Sequence, residues 1–258
     1  MDKTVTMGGE RVLANAPTSE DERKTRIELA ACYRLARREG WDELIYNHIS
    51  ARVPGPEHHF LINPFGLAFE EVTASNLVKV DLDGKVIGNS PYPVNAAGFT
   101  IHSAIHAARP DVGCVIHLHT EAGMALSMIE GGLLPLSQTA MFFHGNIAFH
   151  DYEGIALNLD ERTRLTRDLG DKSVMILRNH GTLVAARSIG EAFVTMFLLE
   201  KAARAQLRAM VSGGKLVAAA PDAVGITAQF GRSGSGGAQY AWAAMMRRLD
   251  REDPSYKL

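Results

Sequence analysis

Two short runs of apolar, β-branched residues constrain the fold of this chain more than any other feature. They are VGCVIHLH at residues 112–119 and SVMILR at residues 173–178. Each run is too short for a typical helix and is rich in the residue types that favour buried strands. Segments with helical periodicity and capping residues lie before, between and after these runs. The sequence therefore predicts an α/β fold in which helices cover a central sheet.

The composition of the chain predicts three parts. Residues 1–18 are polar and lack periodicity, which indicates a flexible N-terminal arm, whereas residues 19–211 are expected to form a single domain. Residues 212–258 combine a Gly-rich stretch, expected to be a flexible linker over residues 212–237, with a short C-terminal helix. Asp83 and Gly84 between two Val- and Leu-rich arms predict a hairpin, so the sheet should be partly antiparallel.

Charge and hydropathy exclude several classes of protein. The formal net charge of −2 gives no reason to expect binding to nucleic acid or to an anionic membrane. No stretch approaches the roughly 20 apolar residues that span a bilayer. The first residues lack the apolar core of a signal peptide. Cys32 and Cys114 lie among apolar neighbours, which is typical of reduced thiols. A cytoplasmic protein with a small-molecule ligand is the expectation.

Three histidines form a candidate metal site. His117 and His119 are two residues apart on a predicted strand, so both rings should project from the same face. His180 follows the second predicted strand, and neighbouring strand ends in one sheet would bring it close to this pair. Three neutral imidazoles suit Zn²⁺ and leave a fourth position for water or substrate. Mn²⁺, Fe²⁺, Co²⁺ and Ni²⁺ remain compatible with these ligands.

The histidines also have a purely structural interpretation. Two buried histidines on one strand can simply be hydrogen-bonded members of a core. His102 and His106 are four residues apart on a predicted helix, which is another spacing found among metal ligands. Their Ala and Ile neighbours favour a packed or supporting pair instead.

Several motifs together resemble the class II aldolase/adducin family. They are NHISAR at residues 47–52, INPFG at 62–66, IHSAIHAARPDVGCVIHLHT at 101–120 and RNHG at 178–181. The resemblance covers about residues 20–211, in the family's order, and is strongest to adducin-head-like bacterial members. It implies a three-layer α/β/α domain with a central, mostly antiparallel sheet. It also implies a homotetramer with sites near the subunit interfaces.

The resemblance implies roles for individual positions. In the family's sugar-phosphate aldolases three histidines bind zinc, and they correspond to His117, His119 and His180. The glutamate that serves those enzymes as acid and base corresponds to Gly98, and two serines correspond to Ala96 and Ala97. Because glycine cannot take a proton, the usual aldolase mechanism lacks its central group here.

The positions that bind phosphate in the family differ as well. Its T-P-T-G-like loop reads NPFG at residues 63–66, with an aromatic residue in place of a hydroxyl donor. The asparagine of its G-N-x-S motif is His48, preceded by Asn47. We therefore expect Asn47, His48 and Asn63 to contact a small ligand that is not phosphorylated.

Three functions remain open at this point. The first is a metal-dependent lyase-type enzyme acting on a small oxo or hydroxy compound. Its candidate proton shuttle is His102, with His48, or His144 from a neighbouring subunit, as a substitute. The second is a non-catalytic, metal-stabilised, adducin-like assembly or binding protein. The third is a true aldolase with its acid/base moved to another glutamate, for instance Glu70, Glu71 or Glu153. An open metal position favours the first.

Overall fold

The structure is a computed structural model that describes residues 19–156, 158–233 and 237–258. Its helices are α1 (Glu20–Arg38), α2 (Ala96–Ala108), α3 (Glu121–Ser127), α4 (Gln138–Met141), α5 (Glu161–Leu169), α6 (Ile189–Val211), α7 (Pro221–Arg232) and α8 (Gly237–Glu252). Its strands are β1 (His48–Arg52), β2 (Phe60–Ile62), β3 (Val78–Val80), β4 (Cys114–Leu118), β5 (Ile147–His150), β6 (Val174–Leu177) and β7 (Gly181–Ala186). The predicted N-terminal arm, residues 1–18, lies outside these ranges.

The seven strands form one sheet in the order β3-β2-β1-β4-β7-β6-β5. Every pairing is antiparallel except that of β5 with β6. The predicted fold class, a single domain with a mostly antiparallel central sheet, is therefore confirmed. β5 and β7 were not predicted from the sequence, and β7 turns out to join the two strands on which the prediction rested.

Helices cover both faces of the sheet because neighbouring residues on a strand point in opposite directions. On β4, Ile116 belongs to the apolar cluster beneath α1 and α6, which includes Leu29 and Leu199. Val115 points the other way, into the cluster beneath α2 and α5 that includes Ile101. The two clusters make the domain a three-layer α/β/α structure. No described helix is both long and apolar enough to cross a bilayer.

The expected hairpin at Asp83–Gly84 is only partly formed. The chain does reverse there, with Gly84 at a φ of 90° and its N–H bonded to the Asp81 carbonyl. After the turn, however, the bridge between Val80 and Val86 is isolated rather than part of a strand pair. The antiparallel character of the sheet comes from the other strands.

The linker expected over residues 212–237 is wrong for residues 221–232, which form α7. Pro221 occupies the first helical turn, where its missing N–H costs nothing. Val224 and Ala228 are four residues apart and both buried, so one face of α7 packs against the domain. Because the segment is rich in Gly and Ala, its helical pattern was not recognised from the sequence. The predicted C-terminal helix is present as α8, and its Trp242 is buried in the core beneath α6.

Candidate metal centre

The ends of three strands bring the candidate metal ligands together. His117 lies in β4, and His119 follows the last residue of that strand. His180 lies in the turn between β6 and β7, where Asn179 has a φ of 55°. Because β7 pairs with β4, with Leu118 opposite Thr182, the turn before β7 lies beside the end of β4. Tertiary pairing thus juxtaposes residues that are about 60 positions apart in the chain.

The three rings converge through their Nε2 atoms. The Nε2 atom of His117 lies 3.0 Å from that of His119 and 3.3 Å from that of His180. Two ligands bound at about 2.05 Å in a tetrahedral shell are separated by about 3.3 Å. The three donor atoms lie within 4.8 Å of one another. The donor set therefore fits a single divalent transition-metal ion.

Groups outside the centre orient two of the rings. The Nδ1 atom of His119 lies 2.6 Å from a carboxylate oxygen of Glu43, and that of His117 lies 3.1 Å from the carbonyl oxygen of Thr182. A carboxylate and a carbonyl oxygen only accept hydrogen bonds, so each Nδ1 carries the proton. Both Nε2 atoms then present lone pairs to the centre, which is the tautomer that a metal ligand needs.

Burial keeps His117 and His180 neutral. Desolvation, followed by the neighbouring His180 and His119, holds the pKa of His117 well below its ordinary value. Desolvation and His119 likewise lower the pKa of His180 to about 4. These rings are therefore unprotonated at neutral pH, and no proton has to leave before a metal ion binds.

Two further contacts hold the backbone that carries His119. The Asn47 side chain accepts a hydrogen bond from the His119 N–H at 3.2 Å and donates one to the Trp41 carbonyl at 2.8 Å. Thr120 caps α3 and donates a hydrogen bond of 2.5 Å to the buried carboxylate of Glu200. Asn47, predicted to contact a ligand, thus has its amide committed to the loop around His119.

Glu43 and Glu200 were not predicted from the sequence. Glu43 lies in a loop 76 residues before His119, and Glu200 lies in α6, 80 residues after Thr120. Neither carries a local motif that would link it to the histidines. Their roles follow only from the packing of α6 and of the loop after α1 around the end of β4.

Replacing Glu43 with glutamine should weaken metal binding by about 10-fold to 100-fold, because the His119 tautomer loses its charged acceptor. The Glu43 side chain is partly exposed, so the fold should tolerate the change. Competition of the purified protein with a chromogenic chelator measures the affinity. Glu39→Gln, also near the end of α1, is the control. Equal affinity in Glu43→Gln and the wild type would rule out this supporting role.

The remaining predicted residues do not belong to the donor set. Within the described ranges, no fourth histidine, cysteine, aspartate or glutamate joins the group of three. The Asn63 amide oxygen accepts a hydrogen bond of 2.9 Å from the Tyr33 hydroxyl and is committed to the core. His48 is buried, pairs with His117 across β1 and β4, and has no hydrogen-bond partner for either ring nitrogen.

His102, the candidate proton shuttle, lies in a buried polar cluster with Ser50 and His106. The Ser50 hydroxyl oxygen is 2.6 Å from His102 Nδ1 and 2.8 Å from His106 Nε2. A hydroxyl has one hydrogen, so one ring nitrogen accepts from Ser50 while the other donates to it. Desolvation, followed by neighbouring charges, lowers the pKa of both histidines, to about 3 for His106. Both rings are neutral, and the contacts with Ser50 allow either of them to be the donor.

Gly98 lies in the first turn of α2, directly against His48. A Cβ atom at this position would lie 2.6 Å from the Cγ and Cδ2 atoms of the His48 ring. The position that corresponds to the aldolase glutamate is therefore not an open gap. The His48 imidazole fills it.

A mostly antiparallel sheet that presents three convergent histidines at its strand ends defines an α/β domain with a candidate metal centre. Residues 27–207 match the model for the Class II Aldolase and Adducin N-terminal domain, and the chain belongs to this family.

The chain is similar both to proteins with aldolase names and to adducins. A Caulobacter vibrioides protein, provisionally named an aldolase class 2 protein, is 51% identical over 92% of this chain and 93% of its own. Alpha-adducin from Rattus norvegicus is 50% identical over 75% of this chain, which corresponds to 26% of the adducin. The crystal structure of an aldolase II superfamily protein from Pseudomonas syringae superposes with a TM-score of 0.90. It is 48% identical and covers 93% of this chain and 98% of its own.

Proposed function

We propose that this protein is a metal-dependent, lyase-type enzyme that acts on a small oxo or hydroxy compound. One observation carries the proposal. The donor set consists of three histidines, and within the described ranges no fourth residue of a ligating type joins it. Structural zinc sites are closed by four protein ligands, whereas catalytic sites keep one position for water or substrate. A three-histidine set is the kind that catalysis uses.

The proposed ion is Zn²⁺, with Mn²⁺, Fe²⁺, Co²⁺ or Ni²⁺ as alternatives on ligand type. When bound, a divalent ion polarises a carbonyl or carboxylate oxygen as a Lewis acid. The chain's own part is to hold the three Nε2 atoms in place. Glu43 and the Thr182 carbonyl oxygen fix the tautomers of two of these rings.

Proton transfer needs a group other than residue 98, because glycine has no side chain to titrate. His102 remains the candidate shuttle, and the His48 ring lies next to it. The rings of His48 and His102 meet edge to face, with centroids 5.9 Å apart. Glu70, Glu71 and Glu153 are less suitable. Glu70 pairs with Arg37, Glu71 accepts a bond from the Ala68 N–H, and Glu153 pairs with Arg164.

A homotetramer with sites near the subunit interfaces, in the cytoplasm, completes the proposal. Exposed apolar side chains in the segment after β5 support an interface near the centre. Tyr152 and Ile155 are 54% and 74% exposed, and the Tyr152 ring lies 6.2 Å from that of His180. Apolar side chains grouped at a surface are typical of regions that associate.

A second candidate is a non-catalytic, metal-stabilised assembly or binding protein. The observation in its favour is the 50% identity to alpha-adducin, which is close to the 51% identity to the aldolase-named protein from Caulobacter vibrioides. In that case the ion would mainly stabilise the fold, by linking the ends of β4 and β6.

A turnover screen separates these two candidates. The zinc-loaded protein is incubated with small 2-oxo acids, 2-hydroxy acids and hydroxy aldehydes, and cleavage or decarboxylation is followed by mass spectrometry. We expect conversion of at least one compound, abolished by a chelator and by the His117→Ala/His119→Ala change. Absence of any metal-dependent conversion across the panel, with metal bound, would favour the adducin-like alternative.

A further inference from the structure

His48 and Gly98 form a sterically matched pair beside the metal centre. A Cβ atom on residue 98 would lie 2.6–2.7 Å from three atoms of the His48 ring, closer than any Cβ atom tolerates. The imidazole can therefore keep its position only if residue 98 has no side chain. Two arrangements avoid this clash. Either residue 98 is a glycine and the ring at position 48 stays where it is, or residue 98 has a side chain and the ring lies elsewhere.

The ring of this pair faces the metal centre. His48 on β1 is directly opposite His117 on β4, and residues paired in this way project from the same face of a sheet. α2 covers this face, with Gly98 in its first turn. The wall of the metal centre on this side lies between the three candidate metal-ligating histidines and α2, and His48 and Gly98 form part of it.

Among the described residues, the contacts of this wall include no cationic side chain. In the described parts of the chain, no lysine or arginine hydrogen-bonds to the three ligands or to His48. The Glu43 carboxylate contacts a metal-ligating histidine, at the Nδ1 atom of His119 that points away from the centre.

The charges at the centre favour one class of ligand. A divalent ion bound by three neutral imidazoles keeps its full positive charge, and the Glu43 carboxylate offsets one unit of it. A ligand with a single carboxylate would complete the neutralisation. A phosphate group would need additional cationic partners, and this wall supplies none. A glutamate in place of Gly98 would instead repel a ligand carboxylate.

We propose that His48 and Gly98 together determine the ligand specificity of the metal centre, selecting a small 2-oxo or 2-hydroxy acid over a phosphorylated compound. This inference rests on the metal centre of the proposed function but not on turnover. Both ring nitrogens of His48 are buried without a hydrogen-bond partner. Such groups are rare in proteins and are commonly found where a site has a role.

Calorimetric titration of the zinc-loaded protein with glycolate, pyruvate and inorganic phosphate tests this inference. The wild type should bind the two acids at least about 10-fold more tightly than phosphate, a difference of about 1.4 kcal/mol. Gly98→Ala should weaken acid binding by about 10-fold or more, since its methyl group displaces His48. His48→Ala/Gly98→Ala removes the clash, so it should lose less than the sum of the two single changes.

Metal content and melting temperature are measured for each variant, so that loss of zinc or of the fold is recognised. Gly225→Ala, at an exposed helical glycine with nothing near its Cβ position, is the matched control. His48→Ala creates no clash and provides a folded variant if Gly98→Ala does not fold. Binding of phosphate as tight as that of the acids would overturn the proposal. So would unchanged acid affinity in both folded single variants. Acid binding without turnover would count against only the proposed reaction.

Discussion

The double change His117→Ala/His119→Ala should abolish stoichiometric metal binding. Wild-type protein is expected to carry about one divalent ion per chain, bound by three histidines. The double variant keeps only His180, and a single imidazole does not hold such an ion against dialysis. Elemental analysis after dialysis against a mild chelator measures the content directly. We expect the variant to fall to the background of the buffer.

A histidine outside the centre provides the control for this experiment. The His144 side chain is exposed, and His144→Ala should retain the wild-type metal content. Circular dichroism of all three proteins shows whether the double variant is still folded. Near-stoichiometric metal that survives in the folded double variant would refute the assignment of the ligands.

Gly181→Ala should both destabilise the domain and impair metal binding. A Cβ atom on Gly181 would collide with the backbone carbonyl oxygen of Leu118, and it would lie 3.2 Å from the His119 ring. Backbone cannot give way as a flexible side chain does, so β4 and β7 would have to separate. We expect a loss of about 3 kcal/mol in the free energy of unfolding. The melting temperature of the metal-free protein should fall by roughly 6–12 °C.

The comparison variant is again Gly225→Ala. This glycine lies in α7 with nothing within 4 Å of its Cβ position, so alanine should stabilise the helix by up to about 1 kcal/mol. Calorimetric melting of both metal-free variants, followed by chelator competition, separates the effect on stability from that on metal affinity. A Gly181→Ala protein that melts and binds metal as the wild type does would show that the close approach of Gly181 to Leu118 does not require glycine.

The parts of the site that local periodicity determines could be predicted from the sequence. His117 and His119 are two residues apart, and the period of a strand places both rings on one face. His180 was predicted from its place at the end of a second apolar strand. The structure brings its Nε2 atom to 3.3 Å from that of His117. The family resemblance identified Gly98 as the substituted position and predicted the antiparallel sheet.

Features that depend on packing between segments far apart in the sequence could not be predicted from local sequence patterns. Glu43 contacts His119 only because the loop after α1 folds over the end of β4. The pairing of His48 with Gly98 depends on how α2 lies across β1, and neither residue alone indicates it. α7 was missed for a different reason, since two buried residues in a Gly- and Ala-rich segment give a weak amphipathic signal. Local patterns therefore predicted the candidate ligands that the structure brings together, but not the groups that orient their rings.

The most direct test of the metal centre is a crystal structure of the metal-loaded protein, with diffraction data collected on both sides of the absorption edge of the metal. We predict one anomalous peak per chain, bonded to the Nε2 atoms of His117, His119 and His180 at about 2.0–2.1 Å if the metal is zinc. The fourth position should hold water or a ligand. An anomalous peak at other residues, or no peak between these rings, would contradict the account. A fourth protein ligand closing the shell would contradict its catalytic part.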